Sequence, residues 1–185
     1  PSQRQFKYPK AGEDNSKLSL HIYDIDNGET TIISLEKNYE YIPRMNWTKS
    51  NDLLYIIAMN RHQNELDFIL YNTTNSSSEI LFSEKDKYYI DVHDNTNFTD
   101  DGQSLIWTSE KSGFNHIYLV NLKSGQAQQV TTGNWEVTQY HGINQENKVF
   151  YTSNEEGVIN KSLYCINLDG SAKTKLSKDL GTHSS

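Results

Sequence analysis

The sequence predicts an all-β chain, a β-propeller fragment of about three and a half four-stranded antiparallel blades. Three observations carry that reading. Residues 98–132 alternate strand-like runs with turn residues at short, even spacing. The unit then recurs, with an offset of about 44–46 residues. Trp107-Thr108-Ser109-Glu110 followed by Gly113 has a counterpart in Tyr151-Thr152-Ser153-Asn154 followed by Gly157, and Tyr118 to Leu122 has one in Tyr164 to Leu168. That offset is the period of a propeller blade. Finally, the chain holds 12 tyrosines in 185 residues, which suits strands whose aromatic side chains cover a half-buried face while the hydroxyl reaches water.

Taken in order, residues 1–16 form an entry loop punctuated by Pro9 and Gly12. Predicted strands at 18–23 and 30–35 flank Asp26-Asn27-Gly28, where Asn-Gly fits a type I′ turn. This pair matches only the third and fourth strands of the repeat, so residues 17–36 read as a half-blade. Residues 42–83 form the next blade, with strands at 44–48, 53–59, 65–71 and 79–82, and a polar turn at 72–78 that lacks an apolar anchor and is expected to be mobile. Residues 95–132 hold strands near 95–99, 103–109, 115–121 and 126–132. Residues 137–177 hold strands near 137–143, 148–153, 161–167 and 173–177, and residues 181–185 read as a frayed tail. No convincing amphipathic helix is present. The whole is one partial propeller domain, because a blade needs neighbours on both faces and closed rings have four to eight. The remaining blades are expected outside both ends of the chain, and Pro1-Ser2-Gln3-Arg4-Gln5 reads as a cut inside a longer sequence rather than as a signal peptide.

Composition excludes several classes. A formal net charge of -7 with 35% hydrophobic residues argues against nucleic acid and anionic membrane surfaces as partners. No apolar run has the length of a membrane-spanning helix. Cys165 is the single cysteine, so an intramolecular disulfide and a cysteine-based zinc site are both excluded. The six histidines are scattered, and His21 and His116 fall in strands with structural roles. Gly-x-Ser-x-Gly, Gly-x-x-x-x-Gly-Lys and Gly-x-Gly-x-x-Gly are absent, so neither a hydrolase nucleophile nor a phosphate cradle is encoded, and no cofactor is expected. The carboxylates of Asp24-Ile25-Asp26 and Asp100-Asp101-Gly102 lie in turns and read as turn acceptors ahead of calcium ligands. Five Asn-x-Ser/Thr strings, at Asn46, Asn72, Asn75, Asn97 and Asn160, are expected by chance in so Asn-rich a chain.

Strands that run up and down in turn sort the connections onto two faces. The 1–2 and 3–4 turns are short. The 2–3 and 4–1 connections, at 60–64, 84–94, 110–115, 132–136 and 154–160, are longer and richer in side chains. Long loops on a rigid scaffold are where binding residues concentrate. Arg61 lies on this face, either as a solvated surface arginine or as a lining residue. Trp135 in the 132–136 connection is expected to pack between blades.

Tyr8-Pro9-Lys10-Ala11-Gly12-Glu13-x-Asn15 and Leu20-His21-Ile22-Tyr23-Asp24 resemble the middle of the propeller of the dipeptidyl peptidase IV family, in the prolyl oligopeptidase clan of serine peptidases. Further matches follow in the family's order at Asn60-Arg61-His62-Gln63-Asn64, Trp107 to Gly113 and Gly133-Asn134-Trp135-Glu136-Val137, with the bacterial branch the best fit. The Trp107 to Gly113 repeat also resembles the TolB-type propeller. The first resemblance implies an eight-bladed parent in the periplasm or secreted to the cell envelope, releasing N-terminal dipeptides with proline or alanine second. It implies that the catalytic Ser, Asp and His lie in an α/β-hydrolase domain outside this chain, and that the glutamates holding the substrate's amino group precede it. A family loop reaches the substrate from the region of Val92-His93-Asp94, although the family's aromatic–arginine pair is not matched there. Arg61, His93 and Asp94 are accordingly the substrate-facing candidates. Two functions remain open: a gating and orienting wall for peptide substrate, or a TolB-like module that binds proteins. The unpaired half-blade and the apolar residues Ile22, Ile32, Leu163 and Ile166 on the end flanks predict self-association, most simply as a homodimer.

Overall fold

Fourteen strands in four antiparallel sheets make up the computed structural model, which describes residues 10–179 and 181–183. The described residues contain no helix. β1 (Leu20–Tyr23) and β2 (Thr30–Ile33) form a two-stranded sheet. A first full blade follows: β3 (Tyr41–Trp47), β4 (Leu53–Met59), β5 (Glu65–Asn72) and β6 (Ser77–Lys85). The second comprises β7 (Asn97–Phe98), β8 (Ser104–Ser109), β9 (His116–Asn121) and β10 (Ala127–Gln129). The third comprises β11 (Val137–Ile143), β12 (Lys148–Ser153), β13 (Ser162–Asn167) and β14 (Thr174–Lys175). In every blade each strand pairs with its chain neighbour. The all-β propeller reading therefore holds. The proposed entry loop lies largely outside the described residues, since 1–9 are not among them.

Burial shows why the blades stack. Strands β4 and β5 are apolar on both faces. Leu54, Ile56, Ile69 and Tyr71 point back at Ile33 of the half-blade. Tyr55, Ile57, Phe68 and Leu70 point forward at Leu105, Trp107 and Val120 of the second blade. A third cluster joins Ile106 and Ile117 to Val149, Tyr151, Tyr164 and Ile166 of the third blade. The side-chain alternation of period two thus gives the inner strands of the first two blades an apolar neighbour on each side, and those of the third blade one on the side of the second. Shedding water from the facing surfaces of successive sheets is what holds the array together.

Four local expectations need correction. The turn at Asn27-Gly28 is not type I′, which requires positive φ at both central residues. Only Gly28 has it (75°), and Asp24 Oδ1 accepts from the Asp26 N–H at 2.9 Å. The 72–78 turn is a hairpin fixed by a polar anchor: Asn72 Oδ1 accepts from the N–H groups of Thr74 (2.9 Å) and Asn75 (3.2 Å). β3 begins three residues before the predicted start and carries Pro43, which the ladder tolerates because the register shifts between Tyr41 and Arg44 on an edge strand. The tail is tied down through residue 183, since the Lys161 N–H donates to Gly181 O and the His183 N–H to Lys161 O, both at 2.9 Å. Ser184 and Ser185 lie outside the described residues.

The flank expectation is also partly overturned. Ile166 is only 4% exposed and Ile22 packs on the cluster behind the first blade. Ile32 does face solvent, at 63%.

Candidate functional site

The long connection from β6 to β7 crosses the junction of the first and second blades. Its path is fixed from three sides. Near its start, the N–H groups of Asp86 and Ile90 donate to Asn64 O (3.0 Å) and Gln63 O (2.9 Å) of the loop that carries Arg61. Further on, the Asp94 carboxylate accepts from Arg44 Nε of β3 in a short ion pair. The third tie is to β8, where His93 Nε2 bonds to Thr108 O at 2.6 Å and Asn95 Nδ2 to Thr108 Oγ1 at 3.2 Å.

Between this connection and β8 lies a cavity of about 110 Å³. Glu84, Asp91, His93 and Asn95 line one side, Thr108 and Lys111 the other. Two of these lining residues meet on Trp107, whose Nε1–H donates to Glu84 Oε1 at 2.9 Å and whose ring lies 4.3 Å from that of His93. Burial raises the Glu84 carboxyl above the usual carboxylate range, against the pull of Ser109, Trp107 and Lys111. Burial also lowers the Lys111 amine, which sits 4.0 Å over the Tyr118 ring. The His93 imidazole is lowered for the same reason. Arg44 holds Asp94 below its ordinary value by hydrogen bond and charge. A partly dry cleft lined by acid, base and imidazole can accept a polar group of a ligand and discriminate its charge.

The three residues singled out in the sequence fare differently. His93 lines the cleft. Asp94 is on the same connection but is engaged with Arg44 and does not line it. Arg61 belongs to the adjoining loop, where its Nη1–H donates to Glu40 Oε1 at 2.9 Å. No hydrogen bond or ion pair joins Arg61 to His93 or Asp94 among the described residues. Glu84, Asn95 and Lys111 were not anticipated. Trp107 and Glu110 mark the repeat motif, but nothing in a repeat signals which residue of the preceding blade will meet the indole N–H.

The next junction has the same layout with different chemistry. Trp135 stacks parallel to Tyr151 at 6.2 Å and edge-on to His116 at 4.9 Å, so it packs between blades. Gly133 makes this possible: its φ is 146°, and a Cβ there would come within 2.0 Å of Trp135 Nε1. His116 is buried and bonded at both ring nitrogens, to Thr131 Oγ1 (3.1 Å) and Gly133 O (3.0 Å), a structural role. Among the described residues, no three of His, Cys, Asp and Glu cluster as metal ligands. Asp24 and Asp101 serve as turn acceptors.

Comparison with known proteins places this geometry. A family model described as the dipeptidyl peptidase IV N-terminal region matches residues 1–185. The crystal structure of Porphyromonas gingivalis dipeptidyl peptidase 4 superimposes with a TM-score of 0.88 at 37% identity, over 96% of this chain and 25% of that one. A putative dipeptidyl aminopeptidase IV structure from Bacteroides ovatus superimposes with a TM-score of 0.79 at 22% identity, over 91% of this chain and 27% of that one, which supports the fold alone. A probable dipeptidyl-aminopeptidase B of Uncinocarpus reesii is 28% identical over 92% of this chain. The chain spans 21% of that relative's length.

Proposed function

The chain belongs to the dipeptidyl peptidase IV N-terminal region family, and on that footing we propose that it is part of the propeller wall of a serine exopeptidase, where it gates and orients peptides for release of X-Pro or X-Ala dipeptides. The observation that carries this reading is the cleft at the junction of the first two blades. It lies on the long-loop face, beside the connection that holds His93 and Asp94, and its walls are polar and partly desolvated. The reaction itself is assigned to an α/β-hydrolase domain elsewhere in the full protein. Tyr88 and Tyr89, with Val158 and Ile159 on the same face, are exposed apolar residues suited to contact it. The family match along all 185 residues supports this reading over a free-standing TolB-like binding module.

In the full-length protein, Arg61→Ala and Asp94→Ala are expected to raise KM for Ala-Pro-containing oligopeptides severalfold, with little change in kcat for a chromogenic dipeptide. Unchanged KM for oligopeptides in both variants refutes the orienting role. The 185-residue chain alone is expected to leave Gly-Pro and Ala-Pro chromogenic substrates intact. We also assign a homodimer contact to the outward face of the half-blade, where Tyr23, Ile25 and Ile32 are exposed and β1 and β2 form an isolated pair. Sedimentation at tens of micromolar should show a dimer of the chain, and a monomer there rules the contact out.

A further inference from the structure

The connection between the first two blades is held in place by a histidine in a single protonation state. His93 Nε2 lies 2.6 Å from Thr108 O, a carbonyl that can only accept. Nε2 must therefore carry a proton. His93 Nδ1 lies 3.2 Å from the Asn95 backbone N–H, which can only donate. Nδ1 must therefore be bare. The two bonds together demand the neutral Nε2–H tautomer. Asn95 is the residue whose side chain also reaches Thr108 Oγ1, so the ring and the amide form one attachment of the connection to β8.

From this geometry we propose that His93 is a proton-operated latch on the peptide-facing connection, closed when the ring is neutral and released when Nδ1 is protonated. It rests on the orienting role proposed above for this connection only in its functional meaning, since the latch itself is a property of the chain. A proton on Nδ1 sets an N–H against the Asn95 N–H. The bond is lost and two donors are left facing each other at the edge of the cleft. Asn95 and Asp91 line that cleft with His93, so release of the attachment changes its wall.

Charges on every packed element act on the ring. On its own connection, Asp91 and Asp94 favour the charged form. From β3, Arg44 opposes it, and Arg44 is itself engaged by Asp94. At the end of β6, Glu84 is shared with Trp107, on which the ring packs, and Lys111 lies across the cleft. Burial is the largest influence and lowers the imidazole below its ordinary value. The sign follows. A group whose folded value is depressed stabilises the closed state above its free value, near 6.5 for histidine, and loses that contribution as pH falls toward the folded value. In that window the open population grows as pH falls, with a limiting slope of about tenfold per pH unit.

Amide hydrogen exchange of the 185-residue chain tests this without substrate or activity. Protection at Asn95, corrected for intrinsic exchange, is expected to fall as pH drops below about 6.5, with a limiting slope of about tenfold per pH unit, while amides in β4 and β5 keep theirs. His93→Gln retains one donor and one acceptor but does not titrate, so its Asn95 protection should be flat with pH. If the wild-type protection is flat, or if His93→Gln shows the same fall, the latch is refuted. A confirmed latch with unchanged KM in the Arg61 and Asp94 variants would refute only the orienting role.

Discussion

The second and third blades carry the same motif at the same slot, yet they meet their preceding neighbours by different means. Trp107 and Tyr151 occupy equivalent positions in β8 and β12, and both are buried, at 2% and 0% exposure. The Trp107 indole finds Glu84 at 2.9 Å across the junction. Among the described residues, the buried Tyr151 hydroxyl has no hydrogen-bond partner, nor does that of Tyr140 opposite it in the ladder. The connection residue packed on each aromatic differs too: His93 on Trp107, Trp135 on Tyr151. One junction is polar, titratable and open to a cleft. The other is an aromatic stack of Trp135, Tyr151 and Tyr164, with Lys173 against Trp135 and Tyr164. A repeated scaffold can thus separate a site from a joint by changing the aromatic at the slot, the residue it meets on the preceding blade and the residue packed on it from the connection.

Substitutions at the two slots test that contrast most sharply. Trp107→Ala should destabilise the chain by about 3–5 kcal/mol, read by urea unfolding, because a large buried side chain leaves a cavity. Trp107→Phe keeps most of the volume but strips Glu84 of its indole donor, at a cost of about 1–3 kcal/mol. Tyr151→Phe should change stability by less than about 1 kcal/mol, in either direction, because the hydroxyl it removes has no partner to orphan. Equal costs for Trp107→Phe and Tyr151→Phe would erase the distinction drawn between the junctions.

The tie between the half-blade and the first blade gives a second, smaller effect. Asp67 is buried and accepts from Lys37 Nζ (2.8 Å), Tyr39 Oη (2.6 Å) and Ser83 Oγ (2.5 Å). Burial alone would raise its carboxyl, but the bonds from Lys37, Ser83 and Tyr39 together outweigh it and hold it below its ordinary value. Its folded value is depressed, so its contribution is present above about pH 4 and is lost as pH falls below that through the folded value. Asp67→Asn should therefore lower stability at pH 7 by about 1–2 kcal/mol, and the difference from wild type should shrink below pH 4. A gap that does not narrow at all as pH falls below about 4 contradicts this. The smallest effect is expected at Arg61, whose partner Glu40 is also partly exposed. Arg61→Ala should alter stability by no more than about 0.5 kcal/mol, which leaves it a clean probe of peptide binding.

Strand number, blade period and turn positions were legible in the sequence, because each depends on neighbours a few residues away. Alternation at Leu163, Tyr164, Cys165 and Ile166 marks two faces of one strand, and a turn residue such as Gly170 ends a hairpin wherever the strand is placed. Which face meets which blade is not local information. Tyr164 and Ile166 turn toward the second blade and are buried, while Leu163 and Cys165 face away and are half-buried. His93 was visible as a residue of a long connection on the loop face. Its pairing with Thr108, the indole of Trp107 under its ring and Glu84 on the far side of that indole came only with stacking of the blades. Those contacts join residues from three elements separated by up to 23 positions, and only the burial of both sheet faces decides how they align.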